Sequence, residues 1–373
     1  MKLYQQIQDS DTAEVRLLVP CGVKDEKGDE IGISHVVEHM NLAFVKKEKC
    51  EEIISGCTTY EYTEYSVICK NHLDKVQKAL KLAIDILMGK YLNESDLLHV
   101  KDDILCEVEQ QSENPYFYVR NKLLANALPQ NICNILPVGR KEDIENLSFE
   151  KIHRYFRKNY TQAKSAIFLS SSYDFSKVLI NEGESNIIEN RPYVLPKYKL
   201  KWSASQLYIE NHKKIYSIYF TRNSFFGSME EYILNELEMT YFLIEFDKLF
   251  QEVIGKSVNA TVYENRIDRN ITINTYEIQS EEVEFVSSEN LKQVIQKVLN
   301  EMYAALEENV IDYESVCKFT LNKFQNTSFF QKCRMDYLYG INFEFLTEKL
   351  IEKQCKKMKL RNVREILEEC SMI

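Results

Sequence analysis

Residues 32–45, GISHVVEHMNLAFV, decide how this chain of 373 residues is read. Apolar residues recur through the stretch at helical spacing, which predicts a helix from Gly32 to about Val45. His35 and His39 then fall one turn apart and Glu38 shares their arc, because positions three and four apart are neighbours on a helix surface. Two imidazoles and a carboxylate converging on one point suit a metal. Zinc takes imidazole nitrogens at about 2.0–2.1 Å, and a catalytic zinc keeps three protein ligands and an open fourth position for water. A carboxylate beside that water can take its proton as it attacks a carbonyl carbon.

Around this helix the pattern alternates between strand and helix. Residues 13–21, AEVRLLVPC, read as a strand, and a loop with Asp25, Gly28 and Asp29 leads into the helix. Residues 58–70, TTYEYTEYSVICK, are dense in Thr, Tyr and Val and read as one strand, with a helix over about 73–88 behind it. Asn93 or Ser95 can cap a further helix over about 94–111, whose apolar residues recur at 97, 100, 104 and 108. Glu107 shares the stripe of Val100 and Ile104, so its carboxylate is expected to face the core and to need a partner there, which a metal would be. Glu109 lies nearly opposite and reads as a solvated charge, while Cys106 points about 100° away from Glu107 and reads as packing.

Residues 165–170, SAIFLS, read as a strand. The stretch 190–203 carries two prolines and little periodicity, which predicts a linker at about 191–203 between domains 1–190 and 204–373. Beyond it come strands at about 205–221, a long helical stretch ending near Gly255, a strand pair around 258–279 and four helical segments from 288 onward. The fold class expected is α+β: two structurally similar domains, each a mostly antiparallel sheet packed with helices rather than a doubly wound sheet.

A net charge of -10 argues against nucleic acid as a partner, since phosphate binding needs a concentrated cationic surface; an acidic surface suits basic peptides instead. No run of about 18 apolar residues predicts a membrane span, and the first residues, MKLYQQIQDSDTAEV, lack the plan of a secretion signal. The ten cysteines stand singly, with no CxxC pair, and read as reduced thiols of a cytoplasmic protein. His72, His99, His153 and His212 have no partners at ligand spacing and read as structural or surface residues.

The order HVVEH is the inverted zinc motif. With VRLLVPCGVKDEKGDEIGISHVVEHM, ILCEVEQQSENP at 104–115 and the stretch from Leu136 to Ser170, the chain resembles the pitrilysin and insulinase group of zinc metallopeptidases over most of residues 13–190. It resembles the zinc-bearing subunit of two-component members such as mitochondrial processing peptidase. The resemblance implies one Zn2+ per chain on His35, His39 and Glu107, with Glu38 as general base. It also implies that an extended peptide pairs with the strand of about Thr58–Val67 and the residues leading into it, Ser55, Gly56, Cys57, Thr58, Thr59 and Tyr60.

Departures from the family pattern carry expectations of their own. The interval from His39 to Glu107 is 107 - 39 = 68 residues, short for the family, with the loss between Phe44 and Gly56, so the pocket wall there should be more open. Val100 stands where the family has a second glutamate, and Ser55 and Gly56 replace its Asn-Ala. The family's oxyanion-binding Arg and Tyr, seven residues apart, fall on Ile254 and on Asn259 or Ala260. Donors of that kind are worth about 3–4 kcal/mol each in a transition state, so a homologous partner subunit is expected to supply the Arg/Tyr pair. The activity implied is that of a zinc-dependent endopeptidase subunit, processing leader or precursor segments of ribosomally made peptides. A non-catalytic zinc-binding or peptide-binding scaffold subunit is the alternative.

Overall fold

The computed structural model describes residues 1–47, 51–113, 137–176, 201–208, 214–223, 228–266, 271–280, 288–307, 312–358 and 371–372. These fall into two compact units, one built from residues up to 176 and the other from residues 201 onward.

The first unit runs β1 (Lys2–Ile7), β2 (Thr12–Val19), α1 (Ile33–Lys47), β3 (Ile53–Thr58), β4 (Thr63–Lys70), α2 (Leu73–Leu87), α3 (Leu97–Glu113), α4 (Lys141–Glu145), α5 (Phe149–Asn159) and β5 (Ala166–Ser171). Its sheet has the order β1-β5-β2-β4-β3. Only β1 and β5 pair in parallel; the other neighbours are antiparallel. Val15 lies opposite Val67 and Leu169, and Leu17 opposite Tyr65 and Ile167, so one face of the sheet presents a continuous apolar surface. Helices cover it, Val36, Val37 and Met40 of α1 and Val76, Ala83 and Ile86 of α2 being buried in the same cluster. On the opposite face Arg16 pairs with Glu14 and Glu64, and Ser66 donates to Glu14.

The second unit runs β6 (Lys201–Tyr208), β7 (Lys214–Asn223), α6 (Met229–Ile254), β8 (Ala260–Arg266), β9 (Ile271–Ser280), α7 (Ser288–Glu307), α8 (Tyr313–Gln325), α9 (Phe329–Tyr339), α10 (Glu348–Lys357) and β10 (Ser371–Met372). Its sheet has the order β10-β6-β7-β9-β8, parallel only between β10 and β6. Phe220, Phe242, Phe246, Phe250 and Tyr276 stack into its core, with ring centroids 4.9 Å apart for Phe220 and Phe242 and 5.3 Å for Phe246 and Tyr276. The expected fold class, two α+β units each with a mostly antiparallel sheet, is what the chain adopts.

Two expectations are corrected, and one strand is added to those expected. Residues 58–70 are not one strand: Thr58 ends β3, Thr63 begins β4, and a tight turn separates them. Thr59 makes that turn, its hydroxyl donating to the Tyr62 carbonyl while accepting from the amides of Glu61 and Tyr62. Residues 191–200 of the expected linker lie outside the described residues, and Lys201, Trp202 and Ser203 already pair with β7, as a run alternating through Trp202 and Ala204 allows. Finally, β1 carries no strong alternation in KLYQQI, and its strand state comes from pairing with β5.

Candidate metal centre

The helix that bears the motif is anchored at its start. Glu26 accepts from the Gly32 amide at 2.8 Å and from the Ser34 amide at 2.9 Å, satisfying N–H groups that the first turn of α1 leaves without helical partners. A carboxylate there also meets the positive end of the helix dipole. Burial nevertheless pushes the Glu26 carboxyl up to about 7, against the pull of these hydrogen bonds. Gly32 has φ +80°, and a Cβ on it would press on Ile144 at 3.2 Å and Gly139 at 3.3 Å.

Two buried hydroxyl chains hold the back of the helix. The Ser34 hydroxyl lies 2.8 Å from the Tyr155 hydroxyl, which lies 2.9 Å from the Cys21 sulfur, and burial pushes that thiol up to about 12. Two turns on, Asn41 donates to the Tyr65 hydroxyl at 3.1 Å, and Tyr65 and Tyr160 share a hydrogen bond of 2.8 Å. These contacts fix the rotation of α1 about its axis, and with it the direction in which His35, Glu38 and His39 point.

On the front face, His35 and His39 stand edge to face with ring centroids 4.5 Å apart. Their Nε2 atoms each lie 3.5 Å from a carboxylate oxygen of Glu107, Oε2 for His35 and Oε1 for His39. All three donor atoms fall within 4.8 Å of one another. Two donors each about 2.1 Å from a tetrahedral zinc would be about 3.4 Å apart, so the donor set fits the ion in type and spacing. The His35 Nδ1 lies 3.4 Å from the Val138 carbonyl, which can only accept, so the proton sits on Nδ1 and Nε2 is left to bind metal. Burial, helped by neighbouring His39, pushes His35 down to about 4, which keeps the imidazole neutral as a ligand must be.

Glu38 is buried at 5% exposure beside this cluster. Thr58 of β3 donates to its Oε2 at 2.8 Å. A Cβ on Gly56 would come within 2.4 Å of its Oε1, so β3 approaches the carboxylate this closely only because position 56 is glycine. Burial pushes the Glu38 carboxyl up to about 7; the Thr58 hydrogen bond opposes this and the Glu107 charge adds to it. Its environment suits a group that takes and gives a proton near neutrality.

Other expectations need adjustment. Glu107 does lie on the stripe of Val100 and Ile104, but its side chain is 42% exposed at a groove rather than turned into the core, because the stripe leaves the core there. Cys106 is exposed and lines that groove instead of packing. Glu109 is exposed and only 4.0 Å from the Lys141 ammonium, the solvated charge expected. His72, His99 and His153 are exposed. Of the peptide-binding segment, Ser55, Gly56, Cys57 and Thr58 lie in β3 at the sheet edge, while Thr59 and Tyr60 lie in the turn. The strand of about Thr58–Val67 is not that edge, since β4 sits between β2 and β3. Ile254 ends α6 and Ala260 opens β8. No local pattern marks Glu26, Tyr155 or Asn41, whose roles depend on which elements pack together. Among the described residues, no helix is long and apolar enough to cross a membrane.

Comparison with known proteins agrees with the geometry. Residues 3–139 match the insulinase family, peptidase family M16. The chain is 24% identical over 177 residues to mitochondrial-processing peptidase subunit beta of Blastocladiella emersonii, covering 45% of this chain and 38% of that protein. It is 25% identical over 167 residues to the zinc protease PqqE of Helicobacter pylori, covering 42% of this chain and 37% of that one. The matches thus span well under half the length of these relatives. The fold is shared with the periplasmic protease PqqL of Escherichia coli, at a TM-score of 0.73 and 12% identity, over 100% of this chain and 46% of that one. What the chain is similar to, over residues 3–139, is therefore the insulinase family of peptidases, family M16.

Proposed function

We propose that the chain is the metal-bearing subunit of a zinc-dependent endopeptidase that hydrolyses peptides bound in extended form. The observation that carries this reading is the cluster of His35, His39 and Glu107, at zinc-like spacing, with the buried carboxylate of Glu38 next to it and an edge strand alongside. His35, His39 and Glu107 would hold one zinc, whose chemistry is that of a Lewis acid toward water and the scissile carbonyl. Glu38 takes the proton of the attacking water and delivers it to the leaving amine, and Thr58 orients its carboxylate. The substrate pairs with the outer edge of β3, Ser55 to Thr58, and Thr59 and Tyr60 bound that segment.

Ile254 and Ala260 offer no side-chain donor to an oxyanion and Asn259 offers one amide in place of the Arg/Tyr pair, which supports a second, homologous subunit that supplies an Arg and a Tyr. The likeness to a protein named as one subunit of a processing peptidase favours the same division of labour, with precursor peptides as substrates. The described cysteines are all free thiols, which supports a reducing, cytoplasmic setting. The test is elemental analysis of the purified chain followed by peptide digestion with and without its homologous partner. Metal-dependent cleavage only by the pair supports the reading. Robust cleavage by the chain alone removes the partner from it, and zinc bound with no cleavage by the pair replaces it with a zinc-binding scaffold.

A further inference from the structure

Cys317 of α8 and Cys355 of α10 stand side by side in the second unit, although nothing in their sequence spacing pairs them. The two helices pack on one another, and both pack on α6. Val316 of α8 and Ile351 of α10 are buried in the core that these helices share. Cys317 is next to Val316, and Cys355 lies one turn after Ile351. Apolar packing therefore fixes where the two sulfurs meet.

The local contacts show how near they are. The Cys355 thiol donates to the Tyr313 carbonyl at 3.5 Å. In an α-helix that carbonyl also accepts from the amide of Cys317, four residues on. The Cys355 sulfur thus sits against the turn of α8 that carries Cys317, and it hydrogen-bonds to the Cys317 sulfur as well. Both are free thiols, but their environments differ. Cys355 is 3% exposed, whereas Cys317 is half-buried. Burial, and after it the Cys317 sulfur, push the Cys355 thiol up to about 12. Cys355 therefore keeps its proton, and Cys317 is the sulfur that a small solute reaches first.

Going beyond the peptidase reading, we infer that Cys317 and Cys355 form a reversible redox clip, which a low-molecular-weight disulfide such as oxidised glutathione closes into a cystine joining α8 to α10. Cys317, as its thiolate, attacks one sulfur of the small disulfide; that S–S bond breaks, and the departing thiolate takes up the proton that Cys317 gave up. Cys355 then loses its proton and attacks the Cys317 sulfur of the mixed disulfide. The bond to the small thiol breaks, and the second thiolate leaves and takes up that proton. Two protein thiols are oxidised, and one small disulfide is reduced to two thiols. In a reducing compartment the pair stays open, as the free thiols do here. Closure ties off a loop of 355 - 317 = 38 residues in the unfolded chain and so stabilises the second unit.

The experiment treats the full purified chain with oxidised glutathione for several hours, the time scale of uncatalysed exchange, and maps its peptides without reduction. One cross-linked species joining Cys317 to Cys355 is expected, and dithiothreitol should reverse it. Urea unfolding followed by Trp202 fluorescence should place the midpoint of the oxidised chain about 1 M or more above that of the reduced chain. Cys317→Ser should remove both the cross-link and the shift, with circular dichroism checking that it folds. The wild-type peptide map decides the matter even where that variant does not fold. Glutathione retained on Cys317 without a cross-link overturns the inference, as does a cross-link that leaves the midpoint unchanged. A midpoint shift that survives Cys317→Ser also overturns it, because another pair among the ten cysteines would then be the source.

Discussion

In both units a five-stranded sheet ends in a single parallel pair, but the pair is assembled from opposite ends of the chain. The first unit puts its opening strand β1 at the edge and its last strand β5 inside; the second puts its last strand β10 at the edge and its opening strand β6 inside. The sheet plan is thus indifferent to where the chain enters. What separates the units is the helix that follows the central strand. In the first, α1 spans 15 residues, buries one side and turns Glu38 and His39 to a groove, with His35 buried beside them. In the second, α6 spans 26 residues, contains no histidine and buries Tyr232, Leu237, Phe242, Phe246 and Phe250. One plan therefore carries a candidate metal cluster in one unit and aromatic packing in the other.

The most drastic way to break this contrast is to remove a ligand. His39→Ala should take the chain from about one zinc to essentially none, measured by elemental analysis after dialysis, because two protein ligands rarely retain the ion. Full occupancy in that variant would place the metal elsewhere and dissolve the distinction between the units. Next in size is Glu38→Gln, which should keep zinc while turnover with the partner falls by about a hundredfold or more, since the amide cannot accept the proton. Undiminished turnover would mean that another group is the base.

Much of this is legible because the candidate ligands are local. His35, Glu38 and His39 lie within one helical turn, so their convergence follows from helix geometry without tertiary information. Glu107 shares the stripe of Val100 and Ile104 on α3, but its side chain is 42% exposed because the stripe leaves the core there. The break between β3 and β4 was hidden because Thr and Tyr have strand propensity, and only the hydrogen bonds of Thr59 show the turn. Glu26 and Tyr155 were out of reach for a different reason. Tyr155 lies 121 residues from Ser34, and nothing local to either predicts their contact.

A third prediction concerns how the first unit keeps its helix. Glu26 is buried at 7% exposure with its carboxyl raised to about 7 from an ordinary 4.5, so the folded state holds the proton more tightly than the unfolded one. Its contribution is then fully present below about pH 4.5 and is lost as the pH rises through about 7. His35, lowered to about 4, runs the other way between about pH 4 and 6.5, so the raw profile mixes the two. The difference between the wild-type chain and Glu26→Gln isolates the carboxyl. In metal-free urea unfolding the wild type should lose up to about 3 kcal/mol relative to the variant between pH 4.5 and 8. Parallel profiles would show that the two amides at the start of α1 fully compensate the burial.

The smallest effect is expected in the second unit, where a carboxylate is used in the opposite sense. Glu236 on α6 is as buried as any core residue, its side chain 1% exposed, and the Lys323 ammonium of α8 reaches its Oε2 at 2.5 Å and Glu264 of β8 at 2.6 Å. Glu107 in the first unit stands half exposed between two imidazoles, open to a cation from solution, whereas Glu236 is closed in with a cation supplied by the chain itself. Removing a partner from a fully buried pair costs about 3–5 kcal/mol, and from an exposed pair about 0–1 kcal/mol. Lys323 is 47% exposed and bridges a buried and a partly buried acid, so Lys323→Met should cost an intermediate amount, about 1–3 kcal/mol. The single tryptophan, Trp202, lies in β6, so its fluorescence in a denaturant titration reports on this unit. Zinc content should not change. A loss of zinc with the loss of Lys323 would mean that the packing helix and the metal-bearing helix are energetically coupled, and that the division of labour between the two copies of the fold is less complete than their residues suggest.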